Sequence, residues 1–349
     1  MSSEKIKNRK DQHIRLCLEK DVTSTISNGF DRYRLVYNAL PEINFDDIDI
    51  STTFLGKKLN YPFLISAMTG GTPYGKKINK RLAVAAQKLG VAMCVGSQRA
   101  MLKDPSVTDS FAVRDVAPDI VLFANVGAVQ LNYGYTAQDC QKLVDAIDAD
   151  ALVLHLNPLH EAVQPEGDRN FKKLSEKIKQ VVESLSVPVI VKEVGCGISG
   201  EVAQRLHNCG VKIIDVAGAG GISFPVVEGY RAGLQNPKRF GELGMSTADC
   251  IIDVRKKVGD KLSVIASGGI TNGIEAAKAL ALGADLVGFA SPLLRAATIS
   301  VQEVETVLQS LAHELKITLF STGAKNLKAL ANKIQQNKQR ECFNERFNF

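Results

Sequence analysis

The sequence predicts an α/β protein built as a closed (β/α)8 barrel of the TIM type. Three observations lead there. Eight short apolar, β-rich runs succeed one another from residue 62 onward. Helical patterns separate them. Most of the runs lack polar alternation, as parallel strands buried on both faces do. Eight strand–helix units in a row suit a closed barrel better than the alternative, a doubly wound open sheet.

Residues 1–61 read as a mixed N-terminal extension that could serve as a lid. The runs that follow are PFLISA (62–67), VAMCV (91–95), IVLFA (120–124), ALVLHL (151–156), PVIVKE (188–193), KIIDVA (212–217), LSVIA (262–266) and DLVGF (285–289). Between them lie helix-like stretches at 76–89, 169–184, 199–209 and 272–281, several behind a Ser, Thr, Asp or Asn at a plausible N-cap. Residues 218–247 form a connection after the sixth run, far beyond the roughly 2–6 residues of an ordinary βα loop. In a barrel it lies over the C-terminal mouth, where active sites sit. The barrel is predicted to span 62–330, and 331–349 to be a basic tail.

Composition narrows the class. Of 349 residues, 45% are hydrophobic and 23% charged, enough apolar surface for a large core, which excludes disorder. No apolar run nears the roughly 18–20 residues of a membrane span. The start, MSSEKIKNRK, has no apolar segment of the secretory kind. Seven cysteines, an odd number without a C-x-x-C pair, read as reduced thiols in a cytoplasmic protein. The net charge of +6 is concentrated at the two ends, which contribute +3 (residues 1–10) and +4 (residues 325–346). A near-neutral body with basic ends does not make a nucleic-acid face. The ends are either solvated tails or a closure over an anion.

Polar residues just past the strand ends of a barrel point toward its active site. Here they are Thr69-Gly70-Gly71, Gly96-Ser97-Gln98-Arg99, Asn125, then His155, Asn157, His160 and Glu161 with Gln164-Pro-Glu-Gly-Asp168. Lys192-Glu193, Asp215 and Gly218-Ala-Gly-Gly221 follow. Ser267-Gly268-Gly269 after the seventh run and Gly288-Phe-Ala290-Ser291 at the eighth suit a phosphate, because glycines let backbone N–H groups approach and a helix N-terminus favours an anion. Lys192 could be a Schiff-base amine, a phosphate partner or a charge beside a cofactor ring. Glu161 is the best candidate ligand for a hard cation such as Mg2+.

The strings NRKDQHI (8–14), SAMTGG (66–71), GSQR (96–99), HLNP-x-x-E-x-x-QPEGD (155–168), VKEVGCGIS (191–199), D-x-x-G-x-GG (215–221), SGGI (267–270) and STGAKNLKAL (321–330) together resemble type 2 isopentenyl-diphosphate isomerase. The likeness runs from about residue 8 to residue 330. It implies an FMN- and Mg2+-dependent barrel, cytoplasmic and homo-oligomeric (tetramer or octamer), that interconverts isopentenyl and dimethylallyl diphosphates on flavin reduced by NADPH. Position by position, it implies FMN contacts at Ala67, Met68, Thr69, Ser97, Asn125, Lys192, Gly268, Gly269, Ala290 and Ser291. It implies diphosphate contacts at Arg9, Lys10, His13, Ser97, Arg99, His155 and Asn157, and Mg2+ at Glu161.

Three positions depart from that family's pattern. His160 stands where a substrate-contacting Gln is usual, Ile222 where an FMN-contacting Thr is usual, and Ala217 where Ser or Thr is usual. The losses at 217 and 222 predict weaker flavin binding, at about 1 kcal/mol per neutral hydrogen bond. His160 is instead a candidate substrate contact and catalytic proton carrier, since imidazole exchanges protons near neutrality. Two other readings stay open: a different FMN-dependent oxidoreductase, or a paralogue that binds flavin or prenyl diphosphate without turnover.

Overall fold

A computed structural model describes residues 3–337, with side chains from Arg9 onward; Lys338, Arg340, Arg346 and Cys342 of the basic end lie outside the described residues. Each of the eight runs overlaps one barrel strand, the third strand running three residues past its run: β1 Phe63–Ile65, β2 Ala92–Cys94, β3 Leu122–Gly127, β4 Ala151–His155, β5 Val189–Lys192, β6 Ile213–Asp215, β7 Ser263–Ala266 and β8 Leu286–Phe289. Every strand pairs in parallel with the next, and β8 pairs with β1, which closes the barrel.

Alternation along the strands sorts the core into two layers. Leu64, Ala92, Phe123, Val153, Ile190 and Ile265 fill the barrel interior. Phe63, Ile65, Met93, Leu122 and Leu152 face the surrounding helices. Burying one such large side chain is worth roughly 1.5–3 kcal/mol. The helix Pro73–Leu89 illustrates the outer layer. Thr72 caps it by accepting from the Gly75 amide, Gly90 ends it at φ 65°, and Ile78, Leu82, Ala86 and Leu89 form its buried stripe.

The N-terminal extension divides between the two ends of the barrel. Its helix, Ser3–Glu19, brings Lys10 and His13 to the C-terminal mouth. The hairpin Thr52–Phe54 and Lys57–Leu59 closes the opposite end, where Phe54 and Leu59 join the interior cluster and Lys57 Nζ lies 2.7 Å from Asp150 Oδ1. A third piece, Tyr33–Leu35, pairs antiparallel with Ile334–Gln336. Ordered chain thus continues past residue 330.

Two local boundaries differ from the sequence reading. The helix expected at 169–184 begins only at Leu174, because Lys173 holds a left-handed φ of 53° and the Arg169 guanidinium donates to the Glu161 and Gln164 carbonyls. The long connection after β6 contains a helix, Phe224–Arg231, and a 3-10 turn, Pro237–Glu242. It is tied to the N-terminal extension by Ser223 N donating to Val22 O (2.9 Å) and Ser24 N donating to Gly221 O (2.8 Å). No helix among the described residues is long and apolar enough to cross a membrane.

Candidate active site

The C-terminal mouth holds a cavity of two adjoining lobes, about 880 and 1160 Å3, which share Ala67, Met68, Lys192, Val194, Phe224 and His13. The first lobe is cationic. Arg9, Lys10 and His13 reach it from the N-terminal helix, Ser97 and Arg99 from the loop after β2, and His155, Asn157, His160 and Glu161 from the end of β4. All the residues proposed for diphosphate, and the proposed metal ligand, therefore converge.

Their partners define the lobe's chemistry. Lys10 Nζ donates to Ser97 O (2.7 Å) and sits 4.7 Å from the Phe111 ring centre. Burial, with the Arg9 charge beside it, lowers the Lys10 ammonium to about 7. Arg99 is held by Asp168 at 2.7 Å and Arg9 by Glu166 at 3.8 Å. The Nε of each arginine is buried and lacks a partner among the described residues, as donors awaiting an anion do. His155 Nδ1 donates to Asn125 Oδ1 (2.8 Å), and burial first, then the Lys192 charge, lowers its imidazole to about 3. The ring is neutral.

Glu161 is 6% exposed; its Oε1 accepts from Asn157 Nδ2 (2.9 Å) and its Oε2 from the Asp168 amide (2.6 Å). Asn157 Oδ1 and Gln130 Oε1 line the same lobe, buried and unpartnered. One carboxylate with free amide oxygens nearby fits a hard cation.

The second lobe is lined by Gly268 and Gly269 after β7, by Ala290 and Ser291 after β8, and by Ser66, Ala217 and Ile222. The two glycines are at φ 105° and 73°, and a Cβ on Gly268 would lie 2.1 Å from Gly218 O, so the loop admits no side chain there. The helix Ser291–Ile299 starts at Ala290 with no side-chain cap, leaving its first-turn amides open toward the lobe. Ser66 Oγ is buried without a partner. These features fit a phosphate-bearing cofactor.

Several predicted contacts lie elsewhere. Ser97 and Asn125 line the cationic lobe only. Thr69 stands behind the wall, its carbonyl taken by the Gly96 amide and Asn79 Nδ2. Gln98 ties the helix Ala137–Asp145 to β3 by donating to Leu143 O and accepting from Asn125 N. Glu193 accepts from the amides of Val194, Gly195 and Cys196 and closes its own loop. Asp215 is 1% exposed, accepts from Ser267 Oγ (2.7 Å), and is pushed upward by burial against the pull of Lys192, its partner across β5 and β6.

Glu228 is the residue that sequence reasoning missed. It is fully buried, in the helix of the long connection, and its Oε1 lies 2.7 Å from His13 Nε2 and 3.2 Å from His160 Nε2. Arg231 Nη1 holds the other oxygen. His160 stacks on Phe224 at 5.3 Å between ring centres. The available signal was the glutamate's place in a segment predicted to cover the mouth.

Comparison with known proteins follows this geometry. The FMN-dependent dehydrogenase family model matches residues 5–104 and 137–337. The chain is 53% identical over 326 residues to an isopentenyl-diphosphate delta-isomerase of Rickettsia bellii, covering 92% of this chain and 95% of that protein. It is 51% identical over 333 residues to one from Nostoc sp., covering 94% and 95%. Among solved structures, a lactate oxidase of Pediococcus acidilactici is similar with a TM-score of 0.66 at 18% identity, over 96% of this chain and 94% of that one. An (S)-mandelate dehydrogenase mutant gives 0.66 at 17%, over 94% and 99%. These structures share the fold. The relatives share much more, and the chain belongs to the type 2 isopentenyl-diphosphate delta-isomerases, the branch of that family built on an FMN-dependent barrel.

Proposed function

We propose that the protein interconverts isopentenyl and dimethylallyl diphosphates. The observation that supports this most is the two-lobed cavity: a lobe with unpartnered arginine donors adjoins a glycine-lined lobe at Lys192 and Met68. The relatives' names point the same way. The reaction adds a proton to the terminal carbon of the C3–C4 double bond and removes one from C2, with no net oxidation.

In this reading Arg9, Lys10, His13, Arg99, His155 and Asn157 bind the diphosphate. The buried Nε of each arginine has no partner among the described residues, so a bound anion would satisfy a donor left unpaired. Glu161 would hold Mg2+, which supplies positive charge against the diphosphate. The second lobe, with Ala67, Met68, Gly268, Gly269, Ala290 and Ser291, would hold FMN, with Thr69 behind its wall and Ile222 at its side. Reduced FMN, when bound, supplies an electron-rich ring beside the positive charge that develops at C3. Lys192 sits where the lobes meet. His160 carries the mobile proton, and its contact with Glu228 holds the ring in place. Reduction by NADPH, a homo-oligomeric assembly and a cytoplasmic setting belong to the same proposal.

The test is an anaerobic isomer assay with FMN, NADPH and Mg2+ added. Conversion in both directions supports the reading. Protein that carries reduced flavin and binds the diphosphate yet converts neither isomer would overturn it.

A further inference from the structure

His13, His160 and Glu228 come from three separate helices, Ser3–Glu19, Pro158–Val163 and Phe224–Arg231. Their ligand atoms, two Nε2 and one Oε1, lie within 4.8 Å of one another. The imidazole nitrogens are 2.7 and 3.2 Å from the shared oxygen, hydrogen-bond distances that need only a small outward shift to reach the roughly 3.3 Å ligand–ligand edge of a tetrahedral site with bonds of about 2.0 Å. Both rings are set by the same neighbour: Phe224 stacks on His160 and meets His13 edge-on at 5.8 Å. Arg231 fixes the carboxylate from its far side and is itself held by Glu166 and Gln12. An outer partner of this kind orients a metal ligand.

We propose that His13, His160 and Glu228 form a binding site for a divalent transition-metal ion, of the imidazole-preferring class that includes Zn2+ and Co2+, open to the cationic lobe. Two imidazoles and one carboxylate select such ions over Mg2+, which prefers oxygen. The site is distinct from Glu161, whose carboxylate is engaged by Asn157 and the Asp168 amide. Three protein ligands leave a position for water or for a phosphate oxygen from the lobe. Metal there clasps the N-terminal helix to the mouth and, by occupying the His160 nitrogen assigned above to proton transfer and the Glu228 oxygen beside it, blocks that step while it is bound. The proposal does not depend on whether the cavity turns over a prenyl diphosphate.

The test is a titration of the untagged, chelator-treated protein with Co2+, read as the difference spectrum against cobalt-free protein. The expected result is one ion per chain with d–d absorption of four- or five-coordination. It should have no thiolate charge-transfer band, be displaced by Zn2+, and persist in excess Mg2+. His160→Gln should weaken binding by at least about tenfold while circular dichroism stays native. Should that variant not fold, His13→Gln gives the same reading. Glu161→Gln should retain the spectrum within about twofold. Absence of d–d absorption in the parent, a thiolate band, an unchanged affinity in the folded histidine variant, or loss of the spectrum in Glu161→Gln would each overturn the proposal.

Discussion

Nε2 of His160 lies 3.2 Å from Oε1 of Glu228, a carboxylate with no exposed surface. Burial alone would raise the Glu228 carboxyl, but hydrogen bonds from His13 and His160 outweigh it and hold the group below the usual carboxylate range. An ionised partner favours the imidazolium that proton transfer creates. Glu228→Gln should lower the isomerisation rate about 100-fold, within the range for a lost acid–base contribution. It should also lower stability, since Arg231 is left with Glu166 and Gln12 alone. Single-turnover rates and urea melts check the two effects separately. An unchanged rate would remove Glu228 from the proton-carrying unit.

Lys10 gives a pH dependence. Its ammonium titrates at about 7 in the free protein, and an anion in the lobe restores the charged form. Binding therefore takes up a proton, and affinity falls as pH rises above 7, by up to about tenfold per unit. Calorimetry with inorganic pyrophosphate from pH 6.5 to 9 measures this. Lys10→Arg should flatten the profile, because a guanidinium keeps its charge there. A slope unaltered by that replacement would assign the dependence to the ligand.

Glu161→Gln retains the shape and the acceptor for Asn157 but removes the charge. Mg2+-dependent binding of the substrate should weaken by about 10- to 100-fold, with flavin content unchanged. Equal loss of both ligands in a binding assay would indicate a packing role.

Ile222 lines the second lobe and faces Thr23 across an isolated bridge. Ile222→Thr should restore a hydroxyl to that wall and tighten FMN by about 1 kcal/mol, roughly fivefold. Flavin absorbance per chain after dialysis reports it. Full occupancy in the parent, or no change in the variant, would show that position 222 does not touch the cofactor.

Acid should destabilise the fold through two neutral imidazoles. Burial, the dominant cause at each, lowers His13 to about 4 and His155 to about 3. In the unfolded chain both titrate near about 6.5. Below that pH the unfolded state binds more protons, so stability falls as pH falls, by up to about 1.4 kcal/mol per unit for each histidine. Urea midpoints between pH 7.5 and 5, with chelator present, should show the slope. His155→Asn should remove about half of it. Flat stability would mean that these rings are already charged in the native protein.

The barrel was legible because its signal is local. PVIVKE and IVLFA can be read as buried parallel strands from the order of their residues alone. The cationic lobe was legible in part, since strand-end polar residues in a barrel have one direction to face. Gln98 and Glu193 broke that rule. Each has backbone groups within reach of its side chain, and those hydrogen bonds occupy it away from the cavity lining. Glu228 was not legible, because its meaning depends on His13, which is 215 positions away in the chain. Nor could the hairpin at Thr52–Leu59 be assigned to the far end of the barrel, as short β-rich segments carry no address.

The pairing of Tyr33–Leu35 with Ile334–Gln336 has a bearing on biosynthesis. Backbone bonds from Val36 to Lys333 and from Asn337 to Arg32 extend the same seam. A ribosome releases the amino end of this polypeptide long before its partner strand has been made. The eight-stranded body can begin to close during translation. The segment that leads from the arginine- and lysine-bearing helix into that body gains its partner strand only after residues 334–336 have emerged. Until then Tyr33–Leu35 is an open strand edge, a site where a nascent chain can pair wrongly or be held by a chaperone.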